Sequence, residues 1–207
     1  MRLFVALVPP PDVLDELAEA VRPHLGTLPE LRWIRRDLLH VTLTFLDEVD
    51  DRTLERLLPR LERAVRRHER MTLSLAGAGA FPGNGAHARV LWTGLYGDRR
   101  ALARLAASTT AAGRRVGTIP DKHRGFRPHL TLARSRRPAD VRPLVEALSS
   151  FAGMPWTADT VVLMRSHLPG RDNVQLAYEP LKAWPLRHSS GGGGAGRSAS
   201  GGPHGTP

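Results

Sequence analysis

The stretch LHVTLTF, residues 39–45, places a histidine and two threonines at every second position of an apolar run. This alternation is typical of a β-strand, in which successive side chains point to opposite faces. Three polar residues are therefore expected to share one face: His40, Thr42 and Thr44. The apolar residues between them are expected to face the core: Val41, Leu43 and Phe45. Alone, the stretch predicts a half-buried strand and does not require an active site.

A second stretch, PHLTLAR at residues 128–134, repeats the pattern. Both stretches contain the tetrapeptide His-x-Thr-Leu, which begins at His40 and again at His129, 89 positions later. Each copy is followed by a predicted helix and then by a predicted hairpin. Because both the motif and its setting are repeated, the sequence indicates two lobes of similar plan.

The repeated motif has a chemical consequence if the two strands line one cleft. The imidazoles of His40 and His129 have an ordinary pKa of roughly 6.5, so that one can act as a base while the other acts as an acid. The hydroxyls of Thr42 and Thr131 can donate hydrogen bonds to phosphate oxygens. We find no metal-ligand spacing and no serine-hydrolase motif, and we expect neither a metal nor a cofactor.

The composition limits the classes of partner and site. The chain contains no cysteine, which excludes disulfides and thiolate metal sites. Thirty Lys and Arg residues face 20 Asp and Glu residues, for a formal net charge of +10. This surplus favours a polyanionic or phosphorylated partner. The apolar run 2–8 is too short for a membrane helix, and we expect a soluble, cytoplasmic protein with no membrane partner.

Strand and helix patterns alternate along residues 1–188, which we expect to form one domain of two lobes. The Gly/Ser-rich tail, 189–207, lacks large apolar residues and is expected to be disordered. Helical spacing predicts helices at 11–21, 50–68, 98–113 and 140–149, with a break at Pro59 and N-caps at Asp98 and Asp140. Strands are expected at 2–8, 31–34, 39–46, 72–81, 88–95, 129–133, 158–165 and 174–178. The two hairpins among them favour antiparallel sheets and the α+β class.

The sequence resembles the 2H phosphoesterase superfamily, and within it the RNA 2′,3′-cyclic phosphodiesterases, also called 2′-5′ RNA ligases. The resemblance covers essentially residues 1–187 and is carried by four segments, two of which contain the paired motifs. These are RLFVALVPP, RWIRRDLLHVTLTFLDEV, FRPHLTLARS and the closing LMRSHL…YEPLKAWPL. The resemblance implies a bilobal fold in which two antiparallel sheets form a central cleft with helices outside.

The same resemblance implies an activity and a role for each motif residue. The reaction is hydrolysis of RNA 2′,3′-cyclic phosphodiester ends to 2′-phosphomonoesters, with 2′-5′ RNA ligation as the reverse reaction. By motif, His40 is the proton donor to the leaving oxygen and His129 is the proton acceptor from water. Thr42, Thr131 and Arg134 bind the phosphate. The direction of proton transfer comes from the family, since the two motifs are alike.

Arg134 needs an irregular strand if it is to reach the cleft. Strict alternation places Arg134 on the face opposite His129, so the strand must end or bulge near Ala133. A basic loop precedes the second motif and offers three candidate contacts to RNA phosphates, Lys122, Arg124 and Arg127. His123 of the same loop is a candidate for lining the cleft. Trp33 and Phe126 are candidates for stacking on a base, with core packing as the stronger interpretation of both.

Two other functions remain open at the level of sequence. One is a 2H enzyme that acts on another small cyclic phosphate, such as a cyclic ADP-ribose phosphate. The other is a basic RNA-binding module without catalysis, in which the histidines are structural. The expected partners are RNA with 2′,3′-cyclic phosphate ends or cyclic nucleotides, and the expected state is a monomer.

Overall fold

A computed structural model describes residues 1–118, 125–169 and 175–188, and over these ranges the chain forms four α-helices and nine β-strands. The helices are α1 (Pro11–Val21), α2 (Asp51–Val65), α3 (Arg99–Arg114) and α4 (Arg142–Ala147). The strands are β1 (Arg2–Leu7), β2 (Leu31–Trp33), β3 (Val41–Glu48), β4 (Met71–Phe81), β5 (Ala88–Gly97), β6 (His129–Ala139), β7 (Trp156–Ala158), β8 (Thr160–His167) and β9 (Ala177–Pro185). The predicted tail, 189–207, lies outside the described residues.

All strands belong to one antiparallel sheet in the order β7-β4-β5-β6-β3-β1-β8-β9, with β2 beside β6. The sheet has two halves, which meet at its centre where Val41 of β3 pairs with Leu130 of β6. The α+β class is thus confirmed, and the two expected sheets are joined into one. Because β3 and β6 are central neighbours, the two histidine motifs lie side by side.

Most predicted elements are present, but the last strand is displaced toward the C-terminus: it was expected at 174–178, and β9 covers Ala177–Pro185. Helix α1 has the predicted bounds, and the hairpins β4–β5 and β8–β9 are confirmed. The short strand β7, which pairs with β4, was not predicted. It has only three residues, too few for a period-2 pattern to be recognised.

The predicted break at Pro59 is wrong, because α2 continues through this residue. Pro59 is exposed, while Leu57 and Leu61 are buried on the opposite side. Packing of this apolar side outweighs the one backbone hydrogen bond that a proline removes. At the start of the helix, Asp50 accepts a hydrogen bond from Thr53 N at 2.6 Å.

The two predicted N-cap residues, Asp98 and Asp140, accept hydrogen bonds other than those of a standard N-cap. Asp98 lies at the N-cap position of α3, but its carboxylate accepts from Thr72 N at 2.8 Å and so ties the helix to β4. The predicted N-cap at Asp140 is wrong, because α4 begins later, at Arg142, and Val141 occupies the N-cap position. Asp140 still accepts a hydrogen bond from Arg142 N at 3.1 Å.

The main core lies between the sheet and helices α2 and α3. Its fully buried side chains include Leu57, Leu61, Leu73, Leu102 and Leu105. None of the helices in the described ranges is long and apolar enough to cross a bilayer. The helix pair covers one face of the sheet behind β3, which leaves the other face for the candidate site.

Candidate active site

The two motif histidines have the same local geometry. His40 Nδ1 lies 2.7 Å from the carbonyl oxygen of Leu38, and His129 Nδ1 lies 2.6 Å from that of Arg127. A carbonyl can only accept, so Nδ1 of each ring carries the proton in this hydrogen bond. In the neutral imidazoles this leaves Nε2 unprotonated and available to a ligand.

Aromatic rings pack against each imidazole, and the sequence did not identify them. Phe4 and Tyr178 lie 4.8 and 5.2 Å from His40 between ring centroids. Phe81 and Trp92 lie 5.0 and 6.2 Å from His129. These rings come from β1, β9, β4 and β5, so the register of the sheet was needed to find them. Each half of the sheet thus holds its histidine between two aromatic side chains.

The surroundings lower the pKa of both histidines below the ordinary 6.5. Burial is the largest cause for both, because it disfavours the charged imidazolium. The nearby Arg134 guanidinium lowers both pKa values further, and His129 also lowers that of His40. The backbone hydrogen bonds raise both pKa values, and this effect is larger than that of Arg134 but smaller than that of burial. Both rings are therefore neutral at pH 7 in the free protein, and both are close to one cation.

A bulge in β3 interrupts the alternation of polar and apolar faces that the sequence predicts. Thr42 pairs with Ala6 and Thr44 with Val5, so Leu43 is an extra residue opposite β1. Beyond it the faces are exchanged: Thr44 is buried at 3% exposure, and Phe45 is 54% exposed. The expectations that Thr44 shares a face with His40 and Thr42 and that Phe45 faces the core are both wrong.

The hydroxyl of Thr44 explains why a polar residue is tolerated there. Its Oγ1 lies 2.7 Å from Thr109 Oγ1 and 2.9 Å from Thr110 Oγ1, both on α3. Thr44 is therefore a buried link between the sheet and the helices. It also shows that α3 lies on the side of β3 opposite Thr42.

A matching bulge in β6 brings Arg134 to the candidate site. Ala133 pairs with Leu91 and Thr131 pairs with Trp92, which leaves Leu132 as the extra residue. Leu132 and Ala133 are both buried, and Arg134 is exposed. The bulge near Ala133 that Arg134 requires is thus confirmed, and Arg134 shares a face with His129 and Thr131.

The two motif threonines flank the join between the halves of the sheet. Thr42 and Thr131 are half-buried, each two residues after its histidine. Among the residues that the structure describes, neither hydroxyl has a protein hydrogen-bond partner. Both are therefore available to donate to an external acceptor.

The predicted RNA-contacting residues have separate outcomes. Lys122, His123 and Arg124 lie outside the described residues. Arg127 is exposed, and its guanidinium carbon lies 5.9 Å from the ring centroid of Phe81. The two stacking candidates, Trp33 and Phe126, are half-buried and pack against the core, as their stronger interpretation predicted.

Comparison with known proteins gives the family. The family model for the 2′-5′ RNA ligase superfamily matches residues 9–169. A protein of Thermus thermophilus named RNA 2′,3′-cyclic phosphodiesterase is 32% identical over 199 residues, which cover 92% of this chain and 93% of that protein. An Archaeoglobus fulgidus protein of the same name is 36% identical over 154 residues, covering 72% and 82%.

A solved structure agrees with these relatives. The crystal structure of E. coli LigT complexed with 3′-AMP superposes with a TM-score of 0.68 at 26% identity, covering 89% of this chain and 96% of that one. The similarity in fold extends over both halves of the sheet, and the family match spans both histidine motifs. The chain belongs to the 2′-5′ RNA ligase superfamily.

Proposed function

We propose that this protein hydrolyses RNA 2′,3′-cyclic phosphodiester ends to 2′-phosphomonoesters by acid–base catalysis with two histidines. The observation that carries the proposal is the matched pair His40 and His129, each with Nδ1 bound to a backbone carbonyl and Nε2 available. The relatives named RNA 2′,3′-cyclic phosphodiesterase support the choice of substrate.

In the proposed reaction, water attacks the phosphorus atom and the bond from phosphorus to the 3′-oxygen breaks. His129 Nε2 accepts the proton of the water, and protonated His40 donates its Nε2 proton to the leaving 3′-oxygen. The products are a 2′-phosphomonoester and a 3′-hydroxyl. The direction of transfer follows the family resemblance. If a 5′-hydroxyl replaced the water as the nucleophile, the same proton transfers would give a 2′-5′ phosphodiester and a free 3′-hydroxyl.

The neutral state of His40 in the free protein fits this scheme only if substrate changes its pKa. A cyclic phosphodiester carries one negative charge, and an anion near an imidazole raises the pKa. Substrate binding would thus favour the protonated form that a proton donor needs. His129 is already in the neutral form that a base needs.

The remaining polar groups would hold the phosphate. Thr42 and Thr131 would donate hydroxyl hydrogen bonds to the non-bridging oxygens, and Arg134 would balance the negative charge that builds up in the transition state. Cytoplasmic action on RNA as a monomer, without a metal or cofactor, is part of the same proposal.

The test is hydrolysis of a 2′,3′-cyclic nucleotide and of a cyclic-ended RNA in EDTA, by the wild type and by His40→Ala and His129→Ala. We expect wild-type activity to persist and each variant to lose roughly 10²–10⁴-fold in rate. NMR of the product should show a 2′-phosphate. Full activity in either variant would overturn the mechanism, and loss of all activity in EDTA would show that a metal takes part.

Substrate choice separates the proposal from its two rivals. Turnover of a cyclic ADP-ribose phosphate in preference to RNA ends would favour the other small cyclic phosphate. RNA binding without turnover of either substrate would favour the basic RNA-binding module without catalysis.

A further inference from the structure

Four arginines converge on a cavity between α2 and α3, away from the histidines. Arg60, Arg63 and Arg67 follow the spacing i, i+3, i+7, which places them on one side of α2 and its C-terminal extension. Arg115 approaches from the end of α3, and Ser108 adds a hydroxyl to the lining. The cavity has a volume of about 120 Å³, and its lining contains no carboxylate.

These four positive charges are not neutralised within the described ranges. No carboxylate oxygen there lies within 4.0 Å of Arg60, Arg63, Arg67 or Arg115. Two acidic residues of this region have other partners: Glu62 pairs with Arg66, and Glu69 pairs with Arg187. Carboxylates are present on this surface, but they pair with other arginines, so the cavity keeps its positive charge.

His68 reports the positive field beside the cavity. Its Nε2 lies 2.9 Å from Ser108 Oγ. Burial lowers the pKa of His68, and Arg104, Arg187 and Arg67 lower it further. Three guanidiniums therefore act on this one imidazole, and additional positive charge there is unfavourable.

Helix electrostatics explain only part of the arrangement. Cations near a helix C-terminus interact favourably with the helix dipole, which accounts for Arg63, Arg67 and Arg115 taken singly. It does not account for Arg60, which lies nearer the middle of α2, or for the convergence of all four on one cavity. An anion would relieve their mutual repulsion.

Size indicates which anion fits. Sites for small organic ligands usually occupy about 300–1,000 Å³. A cavity of about 120 Å³ is too small for a nucleoside but can take a phosphate group. Because the lining is arginine, it suits the paired oxygens of a phosphodiester.

We propose that the α2–α3 cavity is a second RNA-binding site, which holds a backbone phosphate through Arg60, Arg63, Arg67 and Arg115. The site lies on the helix side of the sheet, since α3 contacts Thr44 on the face opposite Thr42. It would therefore bind RNA by its backbone, independently of the chemistry of the RNA end.

The test measures binding of a single-stranded RNA with a 3′-hydroxyl end, by fluorescence anisotropy over a range of salt concentrations. The full chain is compared with Arg63→Gln/Arg67→Gln and with a matched control, Arg52→Gln/Arg56→Gln. The control removes the same charge from exposed positions of α2 outside the cavity. Circular dichroism and thermal melting verify that both variants are folded at the assay temperature.

We expect the cavity variant to bind roughly fourfold more weakly near physiological salt, as the loss of one phosphate contact predicts. Its slope of log K against log salt should fall by about 0.7, the value for one phosphate on a single strand. The control should change little. Equal losses in both variants would show an effect of net charge alone and would overturn the proposal, as would unchanged binding by the cavity variant.

This experiment is independent of the proposed reaction, because an RNA with a 3′-hydroxyl is not turned over. A catalytically inactive protein that still shows the difference between the two variants would support the second site. Hydrogen exchange provides a second measurement: RNA should protect amides at the C-terminal end of α2. Protection confined to β3 and β6 would contradict the proposal.

Discussion

Phe45 and Arg134 occupy equivalent positions in the two halves of the sheet. Each follows its motif histidine by five residues, and each is turned toward the site by a bulge just before it. The same backbone device thus presents an aromatic ring from β3 and a guanidinium from β6. The two motifs are alike, but at the fifth position after the histidine β6 has a fixed positive charge and β3 does not.

This asymmetry predicts that Arg134→Gln reduces kcat/KM by roughly 10²–10³-fold, the usual cost of removing one group that stabilises transition-state charge. The matched control is Arg100→Gln, an exposed arginine of α3. It should leave turnover of a 2′,3′-cyclic nucleotide unchanged, because α3 lies on the other side of the sheet. Equal effects of the two substitutions would assign the loss to net charge.

The lowered pKa values of His40 and His129 predict the pH dependence. Under the proposed roles, the acid limb of kcat/KM reflects the need for neutral His129, and the alkaline limb reflects the need for protonated His40. Both pKa values lie below 6.5 in the free protein, so the bell-shaped kcat/KM profile should peak below pH 6.5. A profile that is flat from about pH 5 to about pH 8 would contradict paired acid–base roles.

The kcat profile should peak at a higher pH than that of kcat/KM. It reports the enzyme–substrate complex, in which the phosphate anion raises the pKa of both imidazoles. Arg134→Gln should also move the kcat/KM optimum upward, since the guanidinium lowers both pKa values. A downward shift in that variant would mean that Arg134 is not the cation that acts on the histidines.

The sequence was sufficient for the repeated motif, the α+β class and most elements, because all of these depend on local patterns. It failed at Thr44 and Phe45, where a bulge reverses the alternation and only the pairing with β1 reveals it. For Arg134, the sequence showed only that a strand end or a bulge near Ala133 would be needed to bring it to the cleft. The aromatic neighbours of the histidines were missed because they come from strands that are distant in sequence.

Gly79 is predicted to affect both activity and stability, because it leaves room for the Trp92 ring. A Cβ at Gly79 would overlap the indole ring, which lies across this position from the paired strand β5. Gly79→Ala should therefore displace Trp92 from His129 and lower kcat. Overpacking should also reduce the free energy of unfolding by about 1–3 kcal/mol. Urea denaturation and steady-state kinetics measure the two effects.

A double variant identifies the cause of the Gly79 effect. Trp92→Leu removes the ring that the new Cβ would meet, so Gly79→Ala/Trp92→Leu should be less destabilised than the sum of the single variants. Activity should stay low, since the ring that packs against His129 is absent. Additive losses of stability would show that Gly79 acts through the backbone.

Thr42 and Thr44 should separate catalysis from stability, although they lie two residues apart. Thr44→Val removes a buried hydroxyl that bonds to Thr109 and Thr110, and should lower the free energy of unfolding by about 1–3 kcal/mol with little change in kcat/KM. Thr42→Val removes a proposed hydrogen bond to phosphate, worth about 1.5–3 kcal/mol, and should lower kcat/KM by roughly 10- to 100-fold with little change in stability. Denaturant melts and kinetics on the same two proteins test both expectations. The reverse pattern, with Thr44 controlling activity and Thr42 controlling stability, would mean that the bulge in β3 does not turn these side chains to opposite faces.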